Sequence, residues 1–137
     1  MPTLDEIRSL FDRWERVWNY NELDLVPTCV APQYLRHEEA GDRIVTPEGY
    51  AAEIVNLKKE RPDFQIIAYD HAFQGDRAWY RVGMMWTDQN SGKAQSRACV
   101  QGYRIEDGKL AETWVMFRPM GSSWGDAVAQ PTWTTRV

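Results

Sequence analysis

At Pro62 the apolar rhythm of this chain changes, and that change limits its fold more than any other feature. Before it, apolar residues recur every three or four positions; after it, they alternate. Four alternating segments follow, at 64–72, 78–87, 94–105 and 110–117, separated by Gln74-Gly75-Asp76, by residues 88–93 and by Asp107-Gly108. Asp-Gly between two alternating segments is the preferred type I′ hairpin turn, so the last two strands are antiparallel neighbours. Helices first and an antiparallel sheet afterwards predict an α+β chain with its helices on one face of the sheet.

The helical half carries its own punctuation. Thr3 is an N-cap with Glu6 completing a capping box, and the helix runs to about Asn19 with Leu4, Ile7, Phe11, Trp14 and Trp18 as its apolar stripe. A second short helix spans about 23–30 and is ended by Pro32, with short extended pieces at 34–38 and 43–45 around Ala40-Gly41-Asp42. Thr46-Pro47-Glu48 reads as N-cap, first helical position and acidic first turn. A third helix then covers 47–60, burying Tyr50, Ile54 and Leu57.

A chain of 137 residues, 43% hydrophobic, is one domain, with a core over about 5–118 and a tail over 119–137 that has no period and should lie over the body or a neighbouring subunit. A net charge of −4 without a basic run excludes the usual nucleic-acid footprint. No apolar stretch reaches the ~20 residues of a membrane span, and the N-terminus lacks a signal-peptide pattern, so the expected location is cytoplasmic. Cys29 and Cys99 read as small buried side chains. With only His37 and His71 as histidines, no metal-ligand set of the usual spacing can be assembled, and no cofactor is expected. Seven tryptophans exceed what a core this small needs for filling. Some can line a cavity, and ordinary core packing is the competing role.

A two-residue turn at Asp107-Gly108 sets Ile105 opposite Leu110, Tyr103 opposite Glu112, Gln101 opposite Trp114, Cys99 opposite Met116 and Arg97 opposite Arg118. These share one face. The other face holds Ala98, Val100, Gly102, Ala111, Thr113, Val115 and Phe117, an apolar surface that should be covered, and a second copy covering it predicts a homodimer.

Ala-Pro-Gln-Tyr-Leu-Arg-His (31–37), Thr-Pro-Glu-Gly-Tyr (46–50), Arg-Pro-Asp-Phe (61–64) and Glu-Asp-Gly-Lys-Leu-Ala-Glu-Thr-Trp-Val-Met (106–116) follow one another in an order that resembles the SnoaL-like polyketide cyclase family. That family sits in a cone-shaped superfamily with ketosteroid isomerase, scytalone dehydratase and nuclear transport factor. The resemblance implies a cone-shaped, curved antiparallel sheet with helices packed on its concave face. It turns the tryptophan-bearing face of the last hairpin into the cone, and with it Arg97, Gln101, Tyr103, Glu112, Trp114 and Arg118. His37 falls where the family places a pocket histidine, suited to proton transfer near neutral pH.

Two family carboxylates are missing. Trp18-Asn19 stands where related lyases carry Tyr-Asp, and Arg118 where polyketide cyclases carry an aspartate. Neither Asn19 nor Arg118 can act as a base, but both can donate to a developing oxyanion. The reading that follows is a cofactor-independent lyase or isomerase working by elimination, retro-aldol cleavage or isomerisation on an aromatic or polycyclic small molecule. His37 is its acid/base and Glu112 a second base or the orienting partner of His37. Arg118, Gln101 and Asn19 hold the oxyanion, while Trp14, Trp18, Tyr34, Tyr50, Ile54, Trp86, Arg97, Tyr103, Trp114 and Met116 contact substrate. A non-catalytic ligand-binding or assembly module is the main rival, and an epoxide hydrolase or hydratase the next.

Overall fold

The structure is a computed structural model and describes residues 1–125 and 128–137. In chain order it contains α1 (Leu4–Tyr20), a 3-10 turn (Leu23–Leu25), α2 (Val26–Cys29), β1 (Val30–Glu38), β2 (Gly41–Val45), α3 (Pro47–Glu60), β3 (Gln65–Gln74), β4 (Arg77–Thr87), β5 (Ala94–Glu106) and β6 (Lys109–Phe117). The six strands form one curved, unclosed sheet in the order β2-β1-β6-β5-β4-β3, with the helices on its concave face. The α+β expectation holds. The antiparallel expectation needs one correction, because β1 runs parallel to β6. A parallel neighbour requires a long crossover, here supplied by β2, α3 and β3–β5, and it places residues 34–38 beside the last strand.

Thr3 caps α1 by accepting the Glu6 N–H at 3.1 Å, and Asn21, with a left-handed φ of 59°, ends it. The buried stripe is Ile7, Leu10, Phe11, Trp14, Val17 and Trp18, while Leu4 remains 51% exposed. A helix lying in a curved sheet is covered over a wider arc than one seam, so positions beside the stripe are buried too. Thr46 caps α3 through the Gly49 N–H, and Tyr50 and Ile54 face the core. The segment expected as one helix over 23–30 is two single turns, after which β1 starts at Val30 and carries Pro32 at an exposed position. Pro32 falls where the pairing with β6 shifts register between Val30 and Leu35, so its missing N–H interrupts no regular ladder there.

The last hairpin decides which side chains enter the cone. Asp107 and Gly108 both have positive φ, 53° and 74°, as a type I′ turn requires. Ile105 pairs with Leu110, yet Arg104 pairs with Glu112, so Ala111 is an extra residue in β6. This β-bulge reverses the facing of everything after it. Thr113 now sits beside Tyr103 and Val115 beside Gln101 on the concave face, while Trp114 joins Gly102 and Met116 joins Val100 on the convex face. The expected grouping of Ala98, Val100 and Gly102 with Thr113, Val115 and Phe117 is therefore overturned. Pattern alone could not reveal it, since residues 110–117 carry apolar side chains at both parities.

The tail lies over the body. Its first part runs on from β6 alongside β5, with the Gly121 N–H on the Ser96 carbonyl at 2.8 Å and Ser122 Oγ accepting the Ala98 N–H. Its last part crosses to the far edge, where the Gln130 N–H bonds the Ala68 carbonyl and the Trp133 indole N–H the Ile66 carbonyl. Trp133 is buried there, its backbone N–H on Glu15 and its carbonyl on the Tyr80 hydroxyl. Both cysteines are free and buried.

Candidate active site

Between the concave face, α1 and α3 lies a cavity of about 370 Å³, within the range that holds a small organic ligand. Its walls are aromatic: Trp14 and Trp18 from α1, Tyr50 from α3, Phe64, Tyr80 and Tyr103 from the sheet side, and Trp133 from the tail. Several of these rings brace each other. Trp14 stacks on Tyr50 at 6.0 Å and meets Trp18 edge-on at 6.1 Å, which fixes the walls before any ligand arrives.

Two arginines line this space, Arg61 with its charge on the Trp86 ring and Arg36 among the buried phenols. Arg36, on β1, is only 9% exposed and lines the cavity. Its Nη1 donates to the Tyr34 hydroxyl at 3.0 Å, its Nε to Glu38 at 2.7 Å, and its charge lies 4.7 Å from the Tyr50 ring centre. Such burial of a cation is tolerated only when it is paired and bonded. Glu38 also lines the cavity and receives Arg43 through Nε at 2.5 Å. Arg43 continues outward to Glu53 on α3. Burial works to raise the Glu38 pKa, but the hydrogen bonds from Arg43 and Arg36 outweigh it and hold the carboxyl below the ordinary glutamate value. Glu38 is therefore an ionised carboxylate at neutral pH.

The phenols have the opposite tendency. Burial raises the pKa of Tyr34, Tyr50, Tyr80 and Tyr103, so all four are neutral donors. Tyr103 donates to Gln101 Oε1, and among the described residues the Gln101 amide nitrogen meets only the Cys99 sulfur, at 3.8 Å. Among the described residues, neither Arg36 Nη2 nor the Tyr50 hydroxyl has a protein hydrogen-bond partner, and no unpartnered side-chain N or O is sealed away from space. For residues this deeply buried, that space is the cavity.

The residues singled out from sequence divide into three groups. Trp14, Trp18, Tyr50, Gln101 and Tyr103 line the cavity, and Tyr34 lies directly behind it, bonded to Arg36 and Thr113. Four others stand beside it. Ile54 is plain core at 1% exposure, and Trp86 packs on Phe64 with the Arg61 charge 4.0 Å from its ring centre. Arg97 ties the sheet to Glu39 at the cavity rim, at 2.8 Å. Asn19 bonds the Ile66 backbone through both ends of its amide, donating to the carbonyl and accepting from the N–H, both at 2.9 Å, and it joins α1 to β3 outside the cavity lining.

The third group is outside. His37, Glu112, Trp114 and Met116 lie on the convex face, and Arg118 follows them there, with its charge 5.3 Å from the Trp124 ring. The expected inward facing of Glu112, Trp114, Met116 and Arg118 is corrected by the bulge at Ala111. That of His37 fails on simpler grounds: Tyr34 and His37 are three apart in a strand and cannot share a face. His37 and Glu112 are nevertheless partners, with Nε2 to Oε2 at 2.6 Å, Nδ1 to Asp42 at 2.8 Å, and the ring stacked on Trp114 at 5.2 Å. The hydrogen bond to Glu112, then that to Asp42, raises the His37 pKa. His37 is thus a clamp joining β1, β2 and β6, each ring nitrogen on a carboxylate. His71 bonds Gln130 and stacks on Tyr80, fastening the tail.

Sequence reasoning missed Arg36, Glu38, Tyr80 and Trp133. The first two were readable by parity, since alternation from a buried Tyr34 sends 36 and 38 inward. Trp133 carried no periodic signal. Among the described residues no three His, Cys, Asp or Glu gather as a metal site, and no helix is long and apolar enough to cross a membrane.

A curved, open sheet wrapped around helices, with a ligand-sized cavity at their junction, defines a protein of the cone-shaped α+β class. Within that class the chain belongs to the SnoaL-like polyketide cyclase family, whose model matches residues 8–122. Solved structures agree on the fold. TsrD from Streptomyces laurentii is 21% identical with a TM-score of 0.73, over 85% of this chain and 91% of that one. AclR from Streptomyces galilaeus, a putative hydroxylase, gives 21% and 0.70 over 85% and 91%. IdmH from Streptomyces antibioticus, a putative polyketide cyclase, gives 20% and 0.66 over 82% and 89%. No protein of curated function matches the chain significantly.

Proposed function

We propose that this protein is a cofactor-independent acid–base enzyme acting on a polyketide-type aromatic or polycyclic molecule, and that its base is Glu38. The observation that carries this reading is an ionised carboxylate lining an aromatic cavity, next to a buried guanidinium with unused donors. Its oxygens accept three hydrogen bonds from Arg36 and Arg43, which leaves one of the roughly four lone-pair directions of a carboxylate for a proton.

Glu38 takes a proton from a carbon flanked by carbonyls, and the electron pair moves onto the carbonyl oxygen. Arg36 and the Gln101 amide stabilise that enolate oxygen. The enolate carbon then attacks a second carbonyl of the same molecule in a cyclisation, is reprotonated elsewhere in an isomerisation, or expels a leaving group in an elimination. Protonated Glu38 returns the proton to the resulting alkoxide, carbon or leaving group. The lyase, isomerase and cyclase readings therefore share one intermediate and one set of residues.

The pairing of Glu38 with two arginines favours a second reading, a binding protein whose carboxylate only holds Arg36 in place. Screening the protein against β-diketones, phenols, enones and diols separates the two. For a converted substrate, Glu38→Gln should lower the maximal rate at least ~100-fold, the usual worth of a positioned base, and leave affinity within about tenfold, or ~1.4 kcal/mol. Binding across the panel without conversion by the unaltered protein would establish the binding reading instead.

A further inference from the structure

We infer that the cavity takes its ligand as an oxyanion, a planar ring system bearing an ionised phenol or enolised dicarbonyl oxygen seated on the free Nη2 edge of Arg36. This rests on the functional reading above only in using the same cavity, and it specifies the charge state of what binds there. The argument begins with an imbalance of donors and acceptors. Arg36 Nη2, the Gln101 amide nitrogen and the Tyr50 hydroxyl all offer hydrogens toward the cavity. The carboxylates at its lining, Glu38 and Glu39, are both held by arginines. A ligand that supplies acceptors satisfies these groups, and one that supplies donors leaves them unpaired at a cost.

Charge order points the same way. From the protein surface inward the side chains run Glu53, Arg43, Glu38, Arg36, alternating in sign at 2.6, 2.5 and 2.7 Å. The row ends on a cation. An anion at Nη2 continues the alternation, whereas a cation there would meet Arg36 directly. The other titratable groups facing Arg36 are Tyr34, Tyr50, Tyr103 and the Cys99 thiol, all kept neutral by burial, so among the described residues Glu38 is the carboxylate bonded to it and is already shared with Arg43. The walls complete the description. Rings of Trp14, Trp18, Phe64, Tyr80 and Trp133 suit a flat apolar body behind the charged oxygen.

The probe is 2-hydroxyanthraquinone, whose visible absorption shifts to longer wavelength on ionisation, with 2-methoxyanthraquinone as the uncharged control. Titrated against pH in the presence of excess protein, the hydroxy dye should show a pKa at least one unit below its free value, meaning phenolate bound at least tenfold tighter than phenol. Arg36→Met should abolish that shift while changing the affinity of the methoxy control less than about threefold, and Gln101→Leu should reduce it. Thermal melting establishes that each variant is folded, and the titration of the unaltered protein needs no variant at all. A dye that fails to bind, binds as the neutral phenol, or shows the same shift in Arg36→Met overturns the inference. Glu38→Gln separates this from the catalytic reading, because it should abolish turnover yet preserve or enlarge the dye shift. A shift without any turnover by the unaltered protein would leave the oxyanion site standing and remove the enzyme.

Discussion

Arg36 and His37 are neighbours in sequence with opposite fates, and one peptide unit of strand geometry separates them. The side chain turned inward becomes a buried cation; the side chain turned outward becomes a surface clamp. Each yields a pH prediction with its own sign. The Glu38 pKa is depressed in the fold, so its pairing stabilises the protein above the ordinary glutamate value and that contribution is lost as pH falls through the folded value. Turnover through ionised Glu38 should survive moderate acid for the same reason. Arg43→Met should move the acidic limb of the rate profile to higher pH without removing activity at neutral pH, and an unmoved limb would exclude Glu38 as the base. The His37 pKa is raised, so its clamp contributes below the ordinary histidine value and is lost as pH rises through the folded value. Melting curves of His37→Gln should lack that dependence while turnover is spared; loss of turnover would return His37 to the chemistry.

At the scale of elements, the bulge at Ala111 has the largest consequence. Removing Ala111 takes away the extra residue and leaves Arg104 opposite Glu112 in a straight register, so Thr113 and Val115 stay on the concave face and Glu112, Trp114 and Met116 on the convex one. The variant should therefore keep a cooperative thermal transition and bind ligand as the unaltered protein does. Loss of that transition would show that the extra residue at Ala111 is itself needed, beyond the facing it sets. Val115→Glu tests the same point from the other side. Val115 lines the cavity, so a charge there should depress the melting temperature and ligand affinity together, as an unpaired buried charge does. The homodimer expected from an apolar outer face loses that argument, because Val115 lies in the cavity and Thr113 in the core, and sedimentation is the measurement that decides it.

For the molecule as a whole, the tail completes the cavity. Trp133 supplies a wall and three hydrogen bonds that join α1, β3 and β4 at one point. Trp133→Ala should destabilise the protein by ~3–5 kcal/mol, the usual range for a buried tryptophan. Ending the chain at Ala129 should add a loss of ligand binding, read by tryptophan fluorescence. A truncated chain that binds ligand as tightly as the full one would remove the tail from the site.

The amino-acid order by itself determined the helix caps at Thr3 and Thr46, the Asp107-Gly108 turn, the change of period at Pro62 and thereby the α+β class, because each depends on interactions a few residues long. It also marked Trp14, Trp18, Tyr50, Gln101 and Tyr103 as cavity residues, since these sit in elements whose period runs unbroken. Tertiary structure alone decided the parallel pairing of β1 with β6, the bulge at Ala111 and the return of Trp133 to the core. All three join segments distant in sequence, and in each the competing arrangement satisfies local preferences equally well. The choice between them rests on burial and backbone pairing summed over the whole sheet, and that sum turned Glu112 and Arg118 out of the cavity, whereas the exchange of His37 for Arg36 and Glu38 follows from strand parity alone.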